Sequence, residues 1–159
     1  MKHKPAVAAV VPPEVRPGQS LELLKALHIL TRDGKLNQDS RRKLKQVYHL
    51  FQFIEKILQE LQTSKVGEGG LTLADHGAGK SYLGFIIYDL FFKALGRGHI
   101  YGIETRAELV QNATALAAEL GFERMHFLNL SVADATLNSA LPERFDMVTA
   151  LHACDTATD

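Results

Sequence analysis

A single cysteine, Cys154, stands in 159 residues. That excludes an intrachain disulfide framework and any multi-cysteine metal site, so no metal ligands are assigned. It also fits a reducing, cytoplasmic setting. No apolar run approaches the ~20 residues of a membrane-crossing helix, so no membrane role is assigned. The apolar stretch from Ala6 to Val11 follows a basic start. It is too short for a signal core, however, and prolines flank it. Net charge is also missing, but only in the sum. Residues 1–65 hold twelve Lys/Arg and six Asp/Glu, and residues 66–159 hold six and twelve. A basic arm on an acidic body suits a polyanionic partner for the arm, RNA among them. A solvated helix face is the plainer account of the same surplus.

Residues 1–19 read as a flexible lead, because Pro5, Pro12, Pro13, Pro17 and Gly18 interrupt any regular element. Residues 20–65 read as a helical arm. Ser20 is placed to cap a helix over Leu21 to Leu30, and Asn37 or Asp39 to cap one running to about Gln62. The second helix carries Leu44, Val47, Tyr48, Phe51, Ile54, Leu58 and Leu61 as one apolar stripe. Arg41, Arg42, Lys43 and Lys45 crowd its first turns, where cations oppose the helix dipole. A phosphate backbone is one reason for them, and chance is the other.

Residues 66–159 alternate strand and helix, which predicts parallel strands joined by crossovers. Strands are expected over Leu71 to Ala74, His99 to Glu104, Met125 to Leu130 and Phe145 to Leu151. A helix from Tyr82 to Leu95 is apolar nearly all round and so should be deeply buried. Another runs from Arg106 to Leu120, stopped by Gly121. The predicted fold is α/β, a four-strand Rossmann-like parallel sheet with an N-terminal helical extension. Asp75, Glu104 and Asp134 then all fall after strand ends, along one edge of the sheet.

The stretch that organises the rest is Asp75-His-Gly-Ala-Gly-Lys-Ser81, between the first strand and its helix. Two ligand classes fit such a glycine turn. One is a phosphate loop, in which Ala74 replaces the first glycine of the pattern, Lys80 reaches phosphates and Ser81 holds Mg²⁺. The other is an adenosyl-type nucleoside site. It expects a second acid at the end of the next strand, about 20 to 30 residues on, for the ribose hydroxyls. Glu104 supplies that acid, whereas the fourth strand runs into His152 and not into the acid that a phosphate-loop enzyme needs. The nucleoside reading is preferred on that ground.

Asp75-His-Gly-Ala-Gly, Gly102-Ile-Glu104 and Ala133-Asp134 resemble the class I, Rossmann-like S-adenosylmethionine-dependent methyltransferases. Gly-Ala-Gly-Lys-Ser-Tyr-Leu and the ending Leu151-His-Ala-Cys-Asp-Thr-Ala-Thr-Asp159 narrow the likeness to a methyltransferase-domain group, from about residue 20 onward. The resemblance implies S-adenosylmethionine as cofactor. It implies that Asp75, Gly77, Ala78 and Gly79 pass under its methionine part, and that Glu104 takes the ribose hydroxyls. Ala133 and Asp134 would flank the adenine, and Leu151 and His152 would lie beside the sulfonium.

Methyl transfer from a sulfonium is an in-line displacement, so placement supplies much of its rate. His152 is a candidate general base, or else a piece of pocket wall. Asp155 either orients an acceptor amine or caps the next helix. Cys154 as a nucleophile is disfavoured, because no second cysteine is present. The family's sheet continues beyond four strands, through a reversed edge hairpin and much of the acceptor pocket. The chain is therefore expected to be the N-terminal half of such an enzyme, with its open edge covered by a missing C-terminal segment or a partner. Its activity alone is then in question. A nucleotide-binding phosphate-loop module and a non-catalytic, partner-binding remnant are the two alternatives.

Overall fold

The computed structural model describes residues 11–65, 69–78 and 82–150. They group into two compact units that divide between Gln46 and Val47. That division falls inside a helix, not at the glycine-rich joint after Lys65 where the composition shifts.

In the first unit, α1 spans Leu21–Ala26, and the Ser20 hydroxyl accepts from the Leu23 N–H at 3.1 Å. The helix stops four residues before Leu30. Leu27, Ile29 and Leu30 are all buried, and one helix face cannot bury three residues so closely spaced. The chain turns instead, with His28 at φ +59°, and the N–H groups of Ile29 and Leu30 both donate to the Leu24 carbonyl. α2 spans Gln38–Ser64 and crosses from the first unit into the second. Asn37 is its cap, accepting from the Ser40 N–H at 2.8 Å. Asp39 lies in the first turn. Leu44, Phe51, Ile54 and Leu58 are buried, as the stripe predicted.

In the second unit, β1 (Thr72–His76), β2 (His99–Glu104), β3 (Met125–Asn129) and β4 (Met147–Thr149) form a parallel sheet in the order β3-β2-β1-β4. The chain therefore steps outward from β1 to β3, then returns to the other side of β1. Such a reversal opens a crevice at the carboxyl ends of the strands on either side of it, here β1 and β4. β1 begins and ends later than its apolar run, because Asp75 and His76 continue the pairing with Gly102 and Ile103. β4 is shorter than expected.

One sheet face packs Ala74 and Ile103 against Ala135 and Leu141, with Phe145 alongside. On the other face, Phe85 stacks on Phe127 at 5.6 Å. Phe85 belongs to α3 (Tyr82–Ile87), which continues through a π-helical turn, Tyr88–Phe92, into α4 (Lys93–Leu95). The predicted single helix is thus interrupted. The π turn keeps Tyr88, Asp89 and Phe92 all buried, and Lys93 pairs with the Asp89 carboxylate. Arg124 closes this helix by donating to the carbonyls of Phe92 and Gly98 at 3.0 and 3.1 Å. α5 (Ala107–Leu120) ends at Gly121 in the left-handed conformation. α6 (Val132–Ala135) follows β3.

A polar knot fixes the start of the sheet. The Asp146 carboxylate accepts from Lys65 Nζ at 2.9 Å and from the Thr72 N–H at 2.8 Å. Lys65 also donates to the Gly70 carbonyl at 3.0 Å. Among the described residues, no helix is long and apolar enough to cross a membrane.

Candidate functional site

The crevice is built from the end of β1. Asp75 is buried at 3% exposure, and the Thr149 hydroxyl of β4 donates to its Oδ1 at 2.8 Å. Its Oδ2 faces α3, where any side chain on Gly84 would begin 3.6 Å away. The carboxylate is thus held between the two strands that flank the reversal. The chain then turns at Gly77, whose φ of +63° suits glycine. The N–H groups of Gly77 and Ala78 both donate to the Ile103 carbonyl, at 2.9 and 3.2 Å. The turn is therefore laid along the end of β2. Gly102 makes room below it. A Cβ there would stand 2.6 Å from the Phe127 ring and 3.5 Å from the Ala78 methyl.

Glu104, the last residue of β2, is 6% exposed. Its Oε1 accepts from Arg106 Nε at 3.1 Å and Nη2 at 2.6 Å. Its Oε2 accepts from the Arg106 N–H at 3.0 Å and the Thr105 hydroxyl at 3.2 Å. Burial pushes the Glu104 pKa up, but the Arg106 hydrogen bonds and charge outweigh it and hold the group at about 2. Arg106 stands at the cap position of α5, with its side chain 64% exposed.

Ala133 and Asp134 lie in α6 and are exposed. The three acids do not share one register: Asp75 pairs with Gly102, Glu104 with Asn129, and Asp134 is in no strand. It lies in a helix beyond the end of β3, where the Ser131 hydroxyl donates to its Oδ2 at 2.8 Å and accepts from its N–H at 3.1 Å. Gly79, Lys80 and Ser81 lie outside the described residues, as do Leu151, His152, Cys154 and Asp155. Ala74, which opens the phosphate-loop pattern, is fully buried inside β1.

Two residues that hold the site's acids are not apparent from sequence. Arg106 and Thr149 are the partners of the two acids. His76 lines a cavity of about 430 Å³ together with Asn138, Leu141, Glu143 and Phe145 of the β3–β4 connection. Its Nδ1 is buried with no hydrogen-bond partner among the described residues, and burial pushes its pKa down. On the same sheet face, His99 Nδ1 lies 2.9 Å from His126 Nε2, the two rings stacked. Burial and then the His99 charge push the His126 pKa down. Among the described residues, no group of three or more His, Cys, Asp or Glu is placed to hold a metal ion.

A family model described as "Methyltransferase domain" matches residues 42–159. The chain belongs to this methyltransferase-domain family. No curated protein matches it. Among solved structures, the domain is similar to a protein-L-isoaspartate O-methyltransferase, at 16% identity and TM-score 0.42, over 59% of this chain and 27% of that one. It is similar to a SAM-dependent methyltransferase from Aquifex aeolicus, at 27% identity and TM-score 0.34, over 48% of this chain and 37% of that one. It is also similar to PKMT2 from Rickettsia typhi in complex with AdoHcy, at 15% identity and TM-score 0.39, over 50% of this chain and 14% of that one. The methyltransferase domain thus spans well under two thirds of the length of each of these structures.

Proposed function

We propose that this domain binds S-adenosylmethionine across the carboxyl ends of β1 and β2 and presents its methyl group to an acceptor. The observation that carries this reading is Glu104, a buried, ionised carboxylate at the end of β2, beside a turn that Gly77 and Gly102 keep low. A ribose diol needs fixed acceptor positions for its two hydroxyls, and the Glu104 carboxylate is placed to supply them. The turn at Gly77 and Ala78 leaves space for a ligand to pass, with Asp75 buried in the strand before it. Ala133 and Asp134 would border the adenine, and Leu151 and His152 the sulfonium. Bound S-adenosylmethionine supplies an electrophilic methyl group. His152 as general base and Asp155 as orienting group are the assignments for the acceptor side. RNA is the acceptor that the basic first turns of α2 suggest. A partner or further segment along β4 is the companion proposal, because β4 is a three-residue edge strand among the described residues.

The test is calorimetric titration with S-adenosylmethionine, S-adenosylhomocysteine and MgATP. The first two should bind, and Glu104→Ala should abolish that binding while Lys80→Ala leaves it intact. Binding of MgATP alone, lost in Lys80→Ala, would sink the proposal.

A further inference from the structure

We infer that Arg106 is a displaceable counter-ion of Glu104, so that a ribose diol and the guanidinium exchange on one carboxylate. The inference rests on the adenosyl reading above. A carboxylate offers about four lone-pair positions. Four donors among the described residues occupy them: two on Oε1 from the Arg106 side chain, and two on Oε2 from the Arg106 N–H and the Thr105 hydroxyl. A diol brings two further donors, so two of the four must leave. The Arg106 N–H is fixed by the backbone at the cap of α5. Its guanidinium is held by no such constraint. The side chain is 64% exposed, so its departure returns a charge to water instead of stranding it. It also takes two donors away together, both from Oε1. Two hydroxyls then replace two N–H groups, and the buried carboxylate stays fully hydrogen-bonded.

Competition of this kind weakens nucleoside binding. It also makes the affinity respond to salt, since screening loosens the partly exposed ion pair and leaves the neutral diol contact alone. The test titrates the full chain with S-adenosylhomocysteine. Arg106→Ala should bind it about fivefold more tightly than the unsubstituted chain, the scale of a partly exposed ion pair. The 2′,3′-dideoxy analogue has no hydroxyls to exchange, so it should show no such gain. Affinity for the unsubstituted chain should also rise from low to high salt, which decides the matter even if Arg106→Ala does not fold. Equal or weaker binding by folded Arg106→Ala, a gain that persists with the dideoxy analogue, or an affinity that falls with salt would overturn the exchange. Binding that survives Glu104→Ala would instead overturn the diol site itself, and no binding by any form would remove both.

Discussion

Glu104 keeps its charge at 6% exposure because every position on its carboxylate has a donor. The same residue fixes how stability should depend on acid. Its folded pKa is about 2 against an ordinary 4.5. The stability it contributes is therefore complete above pH 4.5 and drains away as the pH falls toward 2. The imidazoles act at higher pH. His76 and His126 are both pushed below the ordinary 6.5, chiefly by burial. Below 6.5 the unfolded chain takes up protons that the folded chain refuses, so stability falls with pH through that window too. Urea midpoints should therefore drop between about pH 7.5 and 5, before Glu104 titrates. His126→Asn should shrink that drop and leave the loss below pH 4.5 in place. A midpoint that stays flat from pH 7.5 to 5 would rule out the imidazole contribution. Of these groups, only Glu104 is legible in the sequence, as an acid that ends an apolar strand. Arg106 reads as an ordinary exposed residue opening a helix. His99 and His126 meet only because β2 and β3 pair in one register, and no local pattern states a register.

Elements with a cap or a stop residue are legible: Ser20 starts α1, Asn37 starts α2 and Gly121 ends α5. What the pattern misses is tertiary. A helix apolar all round carries no phase to mark where its winding changes, so the π turn at Tyr88–Phe92 has no sequence signature. The end of α1 is set by three clustered burials and not by a breaker. Asp75 reads as the residue after a strand, yet β2 and β4 on either side extend the pairing through it. The turn over β2 depends on a missing side chain, which gives a second prediction. In Gly102→Ala the new methyl would meet Phe127 ring atoms at 2.6 and 2.8 Å. β2 is held between β1 and β3, so the ring must move instead, and that ring is stacked on Phe85. Overpacking of this kind costs about 1–3 kcal/mol. Thermal unfolding of Gly102→Ala should show that loss, and Phe127→Leu in the same chain should recover part of it. If the two changes were additive, the contact would not be the cause.

At the scale of the molecule, zero net charge hides a basic stretch followed by an acidic one. The structure refines which cations of the basic stretch face outward. Arg41 is engaged with the Glu14 carboxylate at 3.1 Å, whereas Arg42, Lys43 and Lys45 are exposed along the start of α2. α2 runs without a break into the unit that carries the sheet. If these three cations contact an RNA backbone, each releases about 0.7 of a counterion from a single strand. Replacing all three by Gln should then lower the slope of log affinity against log salt by about 2. Binding of S-adenosylhomocysteine should stay unchanged, because none of the three is among the residues assigned to the S-adenosylmethionine site. RNA binding measured by fluorescence anisotropy over a series of salt concentrations reads that slope. If the slope is unchanged in the triple variant, the basic turns of α2 are a solvated face, and the acceptor must be sought at the crevice itself.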